Sequence, residues 1–263
     1  PCILLQLIAT GKPLSTAGMM IEDRTRTFII AMERTVVPEN FSFRMTDEEY
    51  RVLEKIKNSI PVCYLADHAD FALGIVTGNN KKFLSAEKTE HSEMVLKGTD
   101  ICKYHINPAK QYLRFEPEQF QQVAPLEIYR APEKLLYRFI SNQLVVAYDD
   151  RQMLSLNSCN IVIPKIEGMQ IKYILAILNS SVSQFVYQKE FHSVKVLRAH
   201  MERIPIPCAG KEVQNEIIAM TEPLICGMGK EAAETCQKRL DCRIMDLFRL
   251  SAEEQWIIRH ALH

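Results

Sequence analysis

The sequence predicts an α+β fold, in which a mixed or antiparallel sheet has flanking helices and is followed by a helical unit. Short runs rich in β-branched and aromatic residues recur up to about residue 165, which is typical of strands. After residue 210 the apolar residues recur at helical spacing instead. The length of 263 residues fits one large domain or two modest ones. We therefore expect a connector over 1–62, a sheet domain over 63–209 and a helical unit over 210–263.

The composition is that of an ordinary globular protein, with 47% hydrophobic and 24% charged residues. Lysine plus arginine equals aspartate plus glutamate at 32 each, which counts against a general nucleic-acid coat but leaves room for a local basic face. No apolar run approaches the roughly 18 residues of a membrane span, so we expect no membrane partner. Because the chain begins at Pro1 within apolar sequence, we interpret it as the tail of a longer protein.

The eight cysteines are scattered singly, and none forms a Cys-x-x-Cys pair. This spacing gives no zinc signal and is typical of buried, reduced thiols, so we expect a cytoplasmic protein without a metal site. Asp149 and Asp150 could bind a metal, but an acidic pair in a predicted turn is more often a solvated turn.

Local patterns place the first elements. Strands are predicted over 3–8 and 27–32. Thr46 and Glu49 have the spacing of a capping box, which opens a helix that should end near Asn58, before Pro61.

The later elements follow from the same kinds of pattern. Residues 135–140 and 144–148 are predicted to form a hairpin, with further strands at 112–115 and 159–163. A buried helix is expected to end around Asn179, and residues 204–207 must be extended because of their two prolines. Helices are predicted from the apolar spacing after 211, and a capping box at Ser251 and Glu254 opens the last of them.

One polar segment stands between two apolar anchors at residues 74–84. Gly74 and Gly78 allow a positive φ or a close approach to another surface. Between the anchors lie a hydroxyl, two amides and two lysines. Taken alone, this segment is typical of a polar turn in a β-hairpin. Amides also read base edges and lysines hold phosphates, so the same composition suits a loop that faces nucleic acid.

Other cations make a modest case for nucleic acid as a set, although each alone is more often a solvated surface residue. One group lies near an aromatic residue and consists of Lys103, Arg130, Lys134 and Arg138. A second group lies within 189–203. No constellation of catalytic residues can be assembled: the Gly-x-Gly-x-x-Gly, Walker-type and Gly-x-Ser-x-Gly patterns are all missing.

Several short motifs, taken in order, resemble the TaqI-like C-terminal specificity domain. Residues 72–83 resemble its opening Gly-Ile-x-Thr-Gly-x-Asn-x-x-Phe motif, and residues 96–101 resemble its Leu-x-Gly-x-Asp-Ile step. Further resemblances lie in the strand pair, the Leu-Asn-Ser helix, the closing Ile-Pro-Ile-Pro and the helical tail, at 136–138 with 147–149, 173–180, 204–207 and 240–254. The resemblance covers about residues 63–263, and 1–62 looks like the junction with an upstream domain.

The resemblance implies a role in recognising a DNA target. Such domains follow an adenine-N6 DNA methyltransferase domain, often within a fused type IIG restriction–modification enzyme with endonuclease activity. That upstream domain of the same polypeptide binds S-adenosylmethionine and methylates a flipped adenine. This chain lacks the Asn/Asp-Pro-Pro-Tyr/Phe catalytic motif and a glycine-rich cofactor loop. We therefore assign it no catalytic, cofactor-binding or metal-binding residue, and expect S-adenosylmethionine to bind only upstream.

The leading hypothesis is a sequence-specific recognition fragment that binds double-stranded DNA. The expected DNA-binding residues are Thr77, Asn79, Asn80, Lys81 and Lys82, with Lys189, Lys195 and Arg198 as phosphate contacts. Either asparagine could read an adenine. The alternative is an interaction module whose helical tail docks a partner subunit without reading DNA. An endonuclease has the least support, because no Pro-Asp…Asp/Glu-x-Lys cluster is evident.

Overall fold

The computed structural model describes residues 17–22, 26–31, 45–191 and 193–262 and divides into two compact units, residues 1–51 and 52–263. In the first unit, strand β1 (Met19–Glu22) pairs antiparallel with β2 (Thr27–Ile30). This confirms a strand where 27–32 was predicted. The predicted strand over 3–8 lies outside the described residues. The predicted boundaries at 62 and 209 stay predictions.

The helices and the remaining strands of the described chain have the following bounds. The helices are α1 (Asp47–Asn58), α2 (Asn80–Phe83), α3 (Leu126–Tyr129), α4 (Ile171–Asn179), α5 (Ser181–Glu190), α6 (Arg198–Met201), α7 (Lys211–Cys226), α8 (Lys230–Leu247) and α9 (Ala252–Ala261). The strands are β3 (Val62–Cys63), β4 (Ala69–Ala72), β5 (Leu84–Ser85), β6 (Glu93–Leu96), β7 (Tyr112–Leu113), β8 (Lys134–Arg138), β9 (Val146–Asp149), β10 (Leu154–Ser155), β11 (Cys159–Pro164) and β12 (Ile206–Pro207).

Helix α1 begins at the predicted capping box. The Glu49 amide donates to Thr46 Oγ1 at 3.2 Å, and Glu49 Oε2 accepts from the Thr46 amide at 3.0 Å. Each side chain thereby satisfies an amide that the first helical turn leaves without a partner. The helix ends at Asn58, as predicted.

Two four-stranded sheets form the centre of the second unit. One is antiparallel, in the order β4-β11-β8-β9, and contains the predicted hairpin with Leu135 opposite Tyr148. The other has the order β10-β6-β7-β5, in which β10 and β6 are parallel. Together with the helices they confirm the predicted α+β class. A short antiparallel pair, β12 with β3, joins the beginning of the unit to residues near 207.

The apolar core draws on both four-stranded sheets. Buried residues of β6 and β10, such as Val95 and Leu154, belong to the same cluster as Leu136 of β8 and Ile161 of β11. Helix α4 is buried along its length from Tyr173 to Asn179. A helix that is apolar on every side is stable only inside a protein, which explains its central position.

The last three helices confirm the predicted helical character of 211–263 and pack onto this core. Asp241 of α8 accepts from the Ser181 amide at 2.9 Å and from its hydroxyl at 2.8 Å, at the first turn of α5. A carboxylate there is favoured by the positive end of the helix dipole. No helix in the described ranges is long and apolar enough to cross a membrane. Within those ranges no cluster of three His, Cys, Asp or Glu side chains is arranged to hold a metal ion.

Candidate nucleic-acid interface

The segment over 74–84 links two different sheets, so the predicted hairpin turn is wrong. Strand β4 before it pairs with β11, whereas β5 after it pairs with β7. Between them Val76 bridges Gln122, Gly78 takes a φ of +76°, and residues 80–83 form the one-turn helix α2. The two asparagines and two lysines therefore sit on a short capped helix at the surface, whereas Thr77 precedes it and is buried.

The predicted close approach at Gly74 is confirmed and has a partner. A Cβ at Gly74 would lie 2.1 Å from the Leu156 carbonyl oxygen, and one at Gly98 would lie 2.5 Å from the Ser158 carbonyl oxygen. Two glycines thus let two segments press against the turn over 156–158. The Gly98 amide also donates to Ser158 Oγ at 3.0 Å, which fixes this turn in place.

Internal hydrogen bonds shape the polar residues of the segment. Thr77 is 4% exposed, and its hydroxyl donates to Asn80 Oδ1 at 2.6 Å. Asn79 caps α2, because its Oδ1 accepts from the Lys82 amide at 3.3 Å. The oxygens of both asparagines are thus held by the protein, and the Nδ2 amides are the groups that they can offer to a ligand. Thr77 positions Asn80 and has little surface of its own.

An open cleft of about 420 Å³ lies between this helix and the turn over 156–158. Its lining contains two lysines and three carboxamides, and consists of Asn80, Lys81, Leu84, Lys97, Gln111, Leu156, Asn157 and Ser158. Asn80 and Lys81 were predicted from the sequence as site residues, whereas Lys97, Gln111 and Asn157 were not. Lys97 lies inside a motif that the resemblance used. Neither Gln111 nor Asn157 has a local signal, because long-range packing brings them to the cleft.

Among the second group of cations, Lys195 belongs to a segment that is connected to the turn over 156–158. Its ammonium lies 5.8 Å from the centre of the Phe139 ring. The Phe139 amide donates to the Ser158 carbonyl at 3.0 Å, and its carbonyl accepts from the Val196 amide at 2.8 Å. The segment that carries Lys195 is thus joined through one residue to the turn that lines the cleft.

The other two predicted phosphate contacts lie against different rings. Lys189 is 5.7 Å from the ring centre of Phe185. The Arg198 guanidinium lies 5.2 Å from the ring centre of Phe71 and forms an ion pair with Glu202 at 2.6 Å. That ion pair raises the pKa of Arg198. Both residues remain predictions as DNA contacts.

Three cations of the first group are structural, so the interpretation of Lys103, Lys134 and Arg138 as a nucleic-acid surface is wrong. Lys134 is completely buried and pairs with Asp149 at 2.5 Å, while burial lowers its pKa. Arg138 donates to the Gly98 and Ile101 carbonyls at 2.9 and 2.5 Å. Lys103 donates to the Asn179 carbonyl at 3.0 Å, and burial lowers its pKa as well.

One member of the acidic pair differs from the sequence interpretation, whereas Asp150 is exposed as expected. Asp149 is fully buried at the end of β9, where it accepts from the amides of Arg151 and Met153 at 2.8 and 3.0 Å in addition to pairing with Lys134. A buried carboxylate requires such partners, so this residue is an internal anchor and not a solvated turn.

Part of the chain matches a known protein family. Residues 93–206 match the family described as the TaqI-like C-terminal specificity domain. No curated protein sequence matches the chain.

Three solved structures resemble the fold at low sequence identity. The type IIL restriction-modification enzyme MmeI, solved in complex with DNA, is 11% identical, with a TM-score of 0.52 over 76% of this chain and 35% of that one. A protein studied for complex assembly and conformational transition of the type I R-M system is 13% identical, with a TM-score of 0.44 over 82% and 52%. The HsdS subunit from Thermoanaerobacter tengcongensis is 14% identical, with a TM-score of 0.42 over 82% and 50%. The chain thus spans about half or less of each.

Proposed function

We propose that this chain, whose residues 93–206 form a TaqI-like C-terminal specificity domain, recognises a DNA target and binds it at the cleft beside α2. The observation that carries the proposal is the lining of that cleft, where two lysines and three carboxamides converge from four separate segments. Lysines neutralise phosphates, and carboxamides pair with base edges. The two types of group together supply affinity and sequence discrimination in one place.

The side chains divide between these two tasks. Lys81, Lys97 and the adjacent Lys82 hold the phosphate backbone. Asn157 is exposed where it lines the cleft, and Gln111 lines the cleft as well. These two residues read base edges. Asn79 and Asn80 donate through Nδ2, because their oxygens are already bonded within the loop.

The parent protein, in this proposal, is an adenine-specific DNA methyltransferase or restriction–modification enzyme. The family match and the DNA complex of MmeI support that assignment. S-adenosylmethionine would then supply the methyl group at a domain upstream. Nothing in this chain is assigned to that cofactor, since its sequence has neither of the motifs named above.

The salt dependence of DNA binding tests the proposal. A pool of random-sequence duplexes is first enriched for binders, and the observed binding constant of one selected duplex is then measured against salt concentration. Replacing Lys81 and Lys82 by alanine should weaken binding to all duplexes. It should also flatten the plot of log K against log salt by about 0.9 for each phosphate that is no longer neutralised.

A matched control removes the same charge elsewhere. Lys230 and Lys238 are exposed on α8, so the Lys230→Ala/Lys238→Ala variant has the same net charge as the test variant. It should keep the slope and affinity of the unaltered protein. Equal reductions in affinity and slope for the two double variants would contradict a phosphate site at the cleft.

A second arm of the same experiment separates reading from anchoring. Asn157→Ala should leave the salt slope unchanged and lower the discrimination at one base pair by about 1–3 kcal/mol. Binding of every duplex without salt dependence or preference would contradict DNA recognition altogether.

Docking of a partner subunit is the second candidate, and one observation favours it. An open groove of about 480 Å³ between α7 and α8 exposes apolar side chains such as Pro223, Met228 and Cys236, beside Glu231 and Arg239. Exposed apolar surface of this kind is typical of protein–protein contacts. A protein that only docks a partner would show no salt-sensitive binding in the duplex assay.

A further inference from the structure

Two cysteines that are far apart in the sequence lie next to each other at the β3–β12 strand pair of the second unit. Cys63 is the last residue of β3, and Cys208 directly follows β12. Their Sγ atoms lie 2.6 Å apart, although 145 positions separate them in the chain. This distance is close to the roughly 2.05 Å of a disulfide bond, so little movement is needed to join them.

The backbone around the two thiols is already paired. Cys63 lies opposite Ile206 in the β3–β12 ladder, and the Cys208 amide donates to the Pro61 carbonyl at 2.9 Å. The Tyr173 hydroxyl of α4 donates to the Pro207 carbonyl at 2.9 Å and fixes the same strand to the core. The two sulfurs are therefore held together by the fold and do not meet by chance collision of mobile loops.

The two thiols differ in exposure, which gives them different roles. Cys208 is exposed, whereas Cys63 is partly buried. Burial and the hydrogen bond with Cys208 raise the pKa of Cys63 to about 11. The thiolate is the reacting form, so an oxidant in solution meets Cys208 first.

We propose that Cys63 and Cys208 are a reversible thiol–disulfide pair that fastens the two ends of the specificity domain. The pair encloses residues 93–206, so its bond would close the polypeptide loop that carries the whole matched domain. In a reducing compartment a disulfide of this kind is typically transient and responds to oxidants.

The oxidant is a small-molecule disulfide such as oxidised glutathione. The Cys208 thiolate attacks one of its sulfurs, which breaks that S–S bond and releases one glutathione. The Cys63 thiolate then attacks Cys208 Sγ, which breaks the mixed disulfide and releases the second glutathione. The protein loses two thiol protons and two electrons, and both glutathione thiols carry them away.

The experiment uses the full chain in glutathione buffers of increasing oxidised fraction at pH 8. Free thiols are alkylated, and peptides are identified by mass spectrometry. We expect a cross-link between the peptides that contain Cys63 and Cys208, reversed by dithiothreitol. Oxidation should also raise Tm by roughly 5–10 °C, because the bond restricts the unfolded chain.

Cys208→Ser and Cys63→Ala should each abolish both the cross-link and the rise in Tm. The control is the Cys226→Ser/Cys242→Ser variant, which removes two other exposed cysteines and should keep both effects. Circular dichroism of the reduced proteins checks that every variant is folded. A stable glutathione adduct on Cys208 beside a reduced Cys63 would overturn the proposal, and so would a cross-link that leaves Tm unchanged.

Discussion

At residue 74 the backbone passes so close to another segment that only a hydrogen atom fits on its Cα. The Leu156 carbonyl would lie 2.1 Å from a Cβ there, and a backbone carbonyl cannot rotate away as a side chain can. Gly74→Ala should therefore lower the free energy of unfolding by about 3 kcal/mol, at the upper end of overpacking effects. Urea unfolding of the two proteins measures this difference.

Gly210 provides the control for that substitution. No heavy atom lies within 4 Å of a Cβ at this position, where the chain enters α7. Gly210→Ala should lower the free energy of unfolding by only about 1 kcal/mol, because replacing a preferred N-cap residue of α7 is then its only effect. A Gly74→Ala variant as stable as Gly210→Ala would show that the 156–158 turn can move aside.

His200 gives the fold a dependence on mildly acidic pH. Burial lowers the pKa of His200, and its Nδ1 accepts from the Leu197 amide at 3.2 Å. Because the folded pKa lies below the unfolded one, the unfolded chain binds the proton more readily. The stability that neutral His200 provides is present above the unfolded pKa of about 6.5 and is lost as the pH falls below it.

His200→Gln should remove this contribution to the pH dependence. Glutamine at the third position of α6 can accept the same amide without titrating. Between pH 7 and pH 5, the midpoint of urea unfolding should fall more steeply for the unaltered protein than for the variant. Parallel curves would assign the acid sensitivity to other groups.

At the scale of elements, the Leu-Asn-Ser motif has a structural role that its chemistry explains. Asn179, at the end of α4, is 1% exposed, and it donates from Nδ2 to the Val146 carbonyl at 2.8 Å and accepts from the Val146 amide at 3.1 Å. Val146 lies on β9, an edge strand of the antiparallel sheet. The carboxamide thus pairs with the outer edge of that strand, next to the bridge between Tyr104 and Ala147, and joins α4 to the sheet.

Asn179→Ala should lower the free energy of unfolding by roughly 1–3 kcal/mol, since it removes the acceptor of the buried Val146 amide. Asn58→Ala is the matched control. Asn58 is exposed, and its amide donates to the Glu54 carbonyl of its own helix at 3.0 Å. Thermal unfolding of both variants compares them, and similar Tm values would mean that water or a shift of α4 replaces the two hydrogen bonds to Val146.

In the whole molecule, the cleft and the cysteine pair are both formed by residues that are far apart in the sequence. The cleft gathers residues from 80–84, 97, 111 and 156–158, and the two sulfurs come from positions 63 and 208. Residues 93–206, which match the specificity-domain family, lie between these two cysteines, and the two glycine contacts hold the turn over 156–158. The proposed DNA site and the proposed redox site therefore depend on the same long-range packing.

Local structure that depends on residues close together in the sequence could be predicted from the sequence. The α1 and α9 capping boxes, the hairpin of β8 with β9, and the end of α4 at Asn179 were all predicted. Each depends on hydrogen bonds or apolar spacing within a few residues, which are visible in the sequence. The order of short motifs also predicted the specificity domain.

Which cations are exposed, and which polar groups lie together at the cleft, could be seen only from the tertiary structure. Lys81 and Lys134 are the same residue type, yet one lines an open cleft and the other is buried against Asp149. Gln111 reaches the cleft from the position before β7, and Asn157 reaches it from the turn between β10 and β11. Whether a side chain is solvated depends on which distant parts of the chain pack against it. A lysine has the same chemistry in either place, so its residue type does not reveal whether it is buried.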